Sequence, residues 1–288
     1  METYYVVKKG HSPGIYKTWP ECKKAVDGFK GPVFKKFSSF DEANAFFKAE
    51  IQSRAIPKEK PKEKPKENPN KIDLGVSKLS TIPNEEMQKI KDMSKNIKSS
   101  PYSDNLNYNV NGWNCIENDI YIFTDGSSRK SKELFNSGIG VYLGYQCTNI
   151  KEQFSNRTNN QCELLAMDYA FKLILRYYRE LSDIGKVIKI VSDSEYSIKA
   201  CSVWLNQWKK NNWMTSGGEP VKNKELIESI DASMTRIKVI NSKLDEKQKI
   251  KVKLIHVNSH QPPDLQDKFK FSIWYGNYVA DALSQNLI

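Results

Sequence analysis

A chain of 288 residues with 39% hydrophobic residues is long enough for two domains and apolar enough for a buried core. Its 45 Lys/Arg against 34 Asp/Glu give a net charge of +11 and a pI near 9.2. That balance favours a polyanionic partner, nucleic acid or an anionic membrane, and does not bear on fold. No apolar run reaches the length of a membrane span, and the five scattered cysteines (Cys22, Cys115, Cys147, Cys162, Cys201) contain no C-x-x-C pair, which speaks against a zinc site or a disulfide framework.

Reduced thiols suit an intracellular protein, in the nucleus and/or cytoplasm. Met1-Glu2-Thr3 opens neither as a signal peptide nor, with its early acid, as a mitochondrial presequence. Neither a membrane nor an obligate protein partner is expected.

Residues 1–50 read as a small α+β unit. Tyr4-Tyr5-Val6-Val7 is a strand, Gly14-Ile15-Tyr16 opens a second, and Trp19-Pro20-Glu21 starts a helix capped by Thr18. Val33-Phe34-Lys35-Lys36-Phe37 is a third strand, and Ser39 with Glu42 forms a capping box for a helix through Phe47. Lysines alternate with Tyr5, Trp19 and Phe34, so ammonium groups can hold phosphates while rings lie against sugars or bases; a small β-rich core with a solvated basic edge explains the pattern equally well. The segment resembles the N-terminal hybrid-binding domain of eukaryotic-type ribonucleases H, most specifically in Phe34-Lys35-Lys36-Phe37, and also in Thr18-Trp19, Glu21-Cys22 and Asp41-Glu42-Ala43. The resemblance implies that Tyr5, Trp19, Phe34, Lys35 and Lys36 grip an RNA/DNA hybrid across its minor groove, and bind double-stranded RNA weakly.

Residues 51–117 read as a flexible linker. The Pro/Lys/Glu repeat from Pro57 to Glu67 cannot bury a core and should be an extended, solvated spacer. Glu85 to Ile97 is at most a transient helix.

From 118 to 288 the chain is patterned again. Ile120-Tyr121-Ile122-Phe123 is a strand buried on both faces, ending at Asp125 and a Gly126-Ser127 turn. Residues 137–143 and 151–154 continue it as a meander, and an amphipathic helix follows from about 160 to 181. Val187–Val191 is another apolar strand, ending at Asp193. Two short helical stretches, a helix from 223 to about 240, a strand over 251–257 and a closing helix opened by Gly276-Asn277 complete an α/β domain with a mixed sheet. Ligands collect outside the carboxyl ends of strands in open α/β sheets, which is where Asp125 and Asp193 fall. Glu163 lies on the apolar stripe of its helix with Met167, Ala170, Phe171 and Ile174, and Asp281 interrupts the apolar run 279–283. A carboxylate on a packing face is costly unless compensated. Helix caps, turn aspartates and salt bridges explain each residue singly; four together would repel one another without a cation. Hard divalent ions take oxygen-only sites, and two of them roughly 3.5–4 Å apart can activate water and steady a leaving oxygen.

Phe123-Thr124-Asp125-Gly126-Ser127, Thr158 through Ala166, Ser192-Asp193-Ser194 and Gly276-Asn277 with Ala280-Asp281 resemble, in order, the four signature blocks of ribonuclease H, type 1. The resemblance implies a five-stranded mixed sheet flanked by helices and an endoribonuclease that hydrolyses the RNA strand of RNA/DNA hybrids with two Mg²⁺ ions, Mn²⁺ being a substitute. Asp125 would bridge both ions, Glu163 and Asp193 would complete one site, and Asp281 the other. It further implies that Asn159, Asn160 and Gln161 read RNA 2′-hydroxyls. Thr158 and Asn223 would hold a DNA-strand phosphate, Lys209, Lys210 and Trp213 would cradle the DNA strand, and His260 would help product leave. Asn156 stands where the family has an arginine, with Arg157 beside it, and Trp204 and Trp208, four apart, read as core. Ser259 replaces the usual glycine before His260, and Asp281 follows His260 by 21 positions, longer than typical. Two alternatives stay open on the sequence: a catalytically impaired hybrid-binding protein with its site disturbed by that insertion, and another member of the wider nuclease and strand-transfer fold.

Overall fold

The computed structural model describes residues 3–29, 31–40, 42–43, 46, 71–72, 83–131, 134–184, 187–259 and 261–288. The chain divides into two units, Met1–Lys66 and Glu67–Ile288.

In the first unit β1 (Tyr4–Lys9) is the centre of a three-stranded antiparallel sheet, flanked by β2 (Gly14–Tyr16) and β3 (Val33–Phe37). Alternation along β1 sends Val7 to one small core with Cys22, Ala25 and Val26 of α1 (Trp19–Val26), and Tyr4 and Val6 to another with Ala43. Thr18 is the expected cap of α1, and with Glu21 it forms a capping box, the Thr18 amide donating to Glu21 Oε2 at 3.2 Å. The helix expected from Ser39 through Phe47 has residues 41, 44, 45 and 47 outside the described residues; within it the Ala43 amide donates to the Ser39 carbonyl at 3.1 Å. The repeat from Pro57 to Glu67 also lies outside them.

The second unit begins with β4 (Lys71–Ile72), α2 (Asn84–Ser94), β5 (Ser99–Ser100) and β6 (Asn114–Ile116). Five longer strands then carry the sheet: β7 (Asp119–Ser131), β8 (Leu134–Tyr142), β9 (Asn149–Ser155), β10 (Val187–Ser192) and β11 (Lys251–Val257). Their order is β11-β10-β7-β8-β9, parallel over the first three and antiparallel over the last three, as the mixed-sheet expectation required. Short β4 and β5 extend the two edges and β6 pairs with the start of β7.

β7 shows why its sequence is a continuous apolar run. Ile120 and Ile122 enter a core formed with α3 (Asn159–Arg176) and α7 (Lys224–Asn241), while Tyr121 and Phe123 enter a second core under α8 (Lys268–Ser284). Both faces are covered, so the run stays apolar from Ile120 to Phe123, and the buried Thr124 that follows donates to the Val191 carbonyl at 3.3 Å. α8 sits directly on the sheet: a Cβ on Gly140 would lie 2.1 Å from the Ala280 carbonyl oxygen.

Several sequence expectations are corrected. Residues 83–117 are not spacer. Ile90, Ile97, Tyr108, Val110 and Trp113 are buried, the Tyr108 amide donates to Tyr177 Oη at 3.1 Å, and Trp113 Nε1 donates to the Tyr108 carbonyl at 3.1 Å. These apolar residues are too sparse to show a period, because they dock one at a time on an existing core. β7 does not end at Asp125 but runs on to Ser131, paired with β8. The helix expected over 160–181 breaks at Tyr177, with α4 (Tyr178–Ile184) following. α8 starts at Lys268, not Gly276, its N-cap Asp267 accepting from the Lys270 amide at 3.0 Å, so most of the long insertion before Asp281 is helix.

Candidate active site

The β7–β10 register sets the site. Phe123 is level with Val191, so Asp125, two residues on, comes level with Asp193, where β10 has ended and β7 continues only beside β8. Two aspartates from parallel neighbours therefore emerge side by side. Ser194 then caps α5 (Glu195–Lys199), accepting from the Ser197 amide at 3.3 Å, which turns the chain away and leaves the space above Asp193 open.

Glu163 arrives from the first turn of α3. Thr158 caps that helix, accepting from the Gln161 amide at 3.3 Å, and Gln161 Oε1 accepts from the Thr158 amide at 2.9 Å. A Cβ on Gly126 would lie 2.1 Å from the Glu163 amide nitrogen, so this glycine serves the contact of helix on strand, not the turn its sequence suggested. Carboxylate oxygens of Asp125, Glu163 and Asp193 all lie within 4.8 Å of one another. Asp281, from α8, lines the same open cleft of about 440 Å³ but stands outside this triad, its Oδ1 accepting from Gln285 Nε2.

The electrostatics are those of an uncompensated anion cluster. Asp125 is 5% exposed and Glu163 4%. Burial first, then the charge of Asp193, pushes the Asp125 carboxyl up to about 7, although Ser284 Oγ donates to its Oδ2 at 2.5 Å. Burial, then the charges of Asp125 and Asp193, holds Glu163 well above the usual carboxylate range. Hydrogen bonds from the Gly126 backbone and the Ser192 side chain oppose that rise in part, Asn159 Nδ2 reaches Glu163 Oε1 at 3.5 Å, and among the described residues Glu163 Oε2 is buried with no hydrogen-bond partner. A buried acceptor left open costs free energy that a cation would remove. The donor set is oxygen only and the geometry fits a hard divalent ion.

Around the cleft, Asn159 and Asn160 are exposed at the start of α3, while Gln161 is engaged in the cap. Asn223, left-handed at φ 58°, donates from Nδ2 to Tyr196 Oη at 3.3 Å. Lys209 is paired with Asp231 at 2.5 Å, whereas Lys210 is exposed, and Trp213 lies under Lys224 with Nζ 5.4 Å from the ring centroid. Trp204 is 36% exposed against Tyr196 and Trp208, so the core expectation fails for it. A π-helical stretch, Ala200–Trp204, joins α5 to α6 (Leu205–Lys210) there and turns the ring outward. His260 lies outside the described residues.

In the first unit Trp19 joins Tyr5 and Phe34 at centroid distances of 5.6 and 5.8 Å, with Trp19 44% and Phe34 41% exposed. Lys36 pairs across from Tyr5 and shares its face, Nζ 6.0 Å from the ring centroid. Lys35 alternates to the other face, over Phe37 and Phe46, and does not join this surface.

Residues 117–287 match the family model described as RNase H, and residues 3–47 match the Ribonuclease H1 N-terminal domain. The Ribonuclease H of Schizosaccharomyces pombe is 31% identical, over 78% of this chain and 83% of its own. The chain belongs to the ribonuclease H family. It is an enzyme of that class, an endoribonuclease that hydrolyses the RNA strand of RNA/DNA hybrids. Ribonuclease H1 of Rattus norvegicus is 30% identical over 79% of the chain and 77% of its own length. Among solved structures, the PFV RNase H domain is 22% identical with a TM-score of 0.38, covering 58% of this chain and 92% of that one. Divalent metal use follows from the family and from the acidic triad. With the long insertion in place, this ribonuclease H still has all four carboxylates lining one cleft, Asp281 standing apart from the other three.

Sequence reasoning missed two supports of the site. Ser284 and Gln285 stand three and four residues after Asp281, one helical turn on, and bind Asp125 and Asp281 respectively. That spacing was the available signal.

Proposed function

We propose that two Mg²⁺ ions are held in this cleft, Asp125 contributing to both, Glu163 and Asp193 to one and Asp281 to the other, with Mn²⁺ as a substitute. When bound, the metal supplies a lowered pKa for the attacking water and stabilisation of charge on the scissile phosphate. The observation carrying the reading is the buried Glu163 Oε2, without a hydrogen-bond partner among the described residues, inside a triad of carboxylates whose oxygens lie within 4.8 Å. Ser284 Oγ holds Asp125 through Oδ2, and Gln285 Nε2 holds Asp281 through Oδ1, so each carboxylate is oriented by a neutral donor from α8 or its C-terminal end.

Asn159 and Asn160 read RNA 2′-hydroxyls at the rim, the groups that distinguish RNA from DNA. Thr158 and Asn223 take a DNA-strand phosphate, Lys210 and Trp213 the strand beyond it, and His260 assists product departure. Residues 1–50 act as a hybrid-binding module, with Tyr5, Trp19, Phe34 and Lys36 as its contact surface and weak affinity for double-stranded RNA. Tethered through the repeat, this module raises the local concentration of hybrid at the cleft.

The test is cleavage of a labelled RNA/DNA hybrid in Mg²⁺, with single-stranded and double-stranded RNA as controls. RNA-strand cleavage of the hybrid alone, abolished by EDTA and restored by Mg²⁺, is the expected result. Cleavage that persists in EDTA, or that consumes double-stranded RNA equally, would overturn the assignment.

A further inference from the structure

Beside the carboxylate cleft, and sharing Arg129 and Gln285 with it, a second groove of about 540 Å³ opens between the β7–β8 ribbon, β9 and the C-terminal end of α8. Its chemistry is the reverse of the cleft's. The cleft is lined by four carboxylates; among the described residues the groove wall has none. Amides of Asn136, Gln153 and Asn286 line it, Gln153 Nε2 donating to the Ser284 carbonyl at 3.1 Å, and the half-buried Phe154 ring lies under the Arg157 guanidinium, 4.8 Å from its centroid.

Arg129 stands where the two spaces meet. It is exposed, and among the described residues it has no carboxylate partner. Its Nη2 donates to Gln285 Oε1, and Gln285 donates in turn to Asp281. One of five guanidinium donors is thus used by a neutral group that holds the fork in place, and the positive charge is left for an anion. An arginine presented this way suits a phosphate. Amides and hydroxyls beside it suit ribose hydroxyls and base edges.

We propose that this groove is a subsite for the RNA strand, which continues into it from the carboxylate cleft, with Arg129 binding a backbone phosphate away from the scissile bond. The inference rests on the hybrid-cleavage reading. It assigns the groove to RNA because the groove is continuous with the cleft that holds the cleaved strand, not with the Asn223 pocket.

The experiment is steady-state cleavage by the full chain, comparing wild type with Arg129→Ala and Arg129→Lys. Arg129→Ala should raise KM about tenfold, the loss expected for one charge-assisted contact, with kcat within about twofold. The plot of log affinity against log salt should lose about 0.7–0.9 of its slope, one phosphate's share. Arg129→Lys should recover part of the KM. Hybrids carrying a single neutral methylphosphonate linkage, walked along the RNA, locate the phosphate. At one position away from the scissile bond the neutral linkage should weaken wild type about tenfold and Arg129→Ala no further. Unchanged KM and slope in Arg129→Ala, or losses that add at every linkage, would overturn the subsite while leaving hybrid cleavage intact. A chain that cleaves no hybrid in Mg²⁺ would take the reading and the subsite down together.

Discussion

Asp125→Asn should make the metal-free protein more stable while abolishing cleavage. In the folded chain the Asp125 carboxyl is raised from an ordinary 3.8 to about 7, mainly by burial and then by the charge of Asp193. At roughly 1.4 kcal/mol for each pH unit, holding that carboxylate ionised at pH 8 costs about 4 kcal/mol. The sign follows from proton binding. Above pH 7 the group is ionised in both folded and unfolded chains, and the folded chain bears the whole cost. As pH falls through 7 towards 4 the folded chain binds its proton first, and the cost disappears. Asparagine never bears it, and its amide oxygen still accepts from Ser284. The three carboxylates titrate together, so the gain belongs to the cluster as much as to one residue.

Thermal unfolding followed by near-UV circular dichroism of the full chain in EDTA reads the effect. A unit of this size shifts by about 2–4 °C for each kcal/mol, so Asp125→Asn should melt on the order of 10 °C higher than wild type at pH 8, with the gap narrowing to roughly half or less by pH 5. Mg²⁺ should raise the wild-type transition, since binding to the folded form alone stabilises it, and should raise the variant much less. A variant that melts at or below wild type in EDTA at pH 8, or a gap that does not change between pH 8 and 5, would refute the account of the site as an uncompensated anion cluster.

Other consequences are open to test. Ser284→Ala removes the donor that lowers the Asp125 pKa, so the acid limb of the pH–rate profile should move to higher pH while the alkaline plateau is kept; an unmoved limb would count against the contact. Trp19→Ala removes the ring joining Tyr5 to Phe34 and should weaken hybrid binding in a filter titration by about tenfold, the scale of one lost stacking contact, and unchanged affinity would remove this surface from the hybrid. A fragment beginning at residue 83 should fold and cleave, whereas one beginning at 118 should lack near-UV circular dichroism. The shorter piece loses buried Tyr108, Val110 and Trp113, worth on the order of 5–8 kcal/mol against a typical total of about 5–15.

The site was legible because its constraints are local to each strand or helix. A buried strand shows few polar residues before it leaves the layers, so Asp125 and Asp193 stand out at the ends of apolar runs. A glutamate on an apolar helical stripe is equally conspicuous at Glu163. Alternation within β3 also separates Lys35 from Phe34 and Lys36, a signal present in the sequence, whereas the resemblance assigned all three to one surface. What stayed hidden depends on partners. β7 continues past Asp125 because β8 is still beside it after β10 has ended, and nothing in residues 125–131 announces the length of a neighbour. Tyr108 and Trp113 belong to the core because Tyr177 receives them at the break after α3, a contact 69 residues away for the Tyr108 amide. The two classes meet at the active site itself. Individual sequence patterns nominate the carboxylates, but only the pairing of Phe123 with Val191 brings Asp125 level with Asp193, and only the glycine that lets α3 rest on β7 brings Glu163 to both. The chemistry is written residue by residue; the distance that makes it a metal site is written in register and close backbone contact.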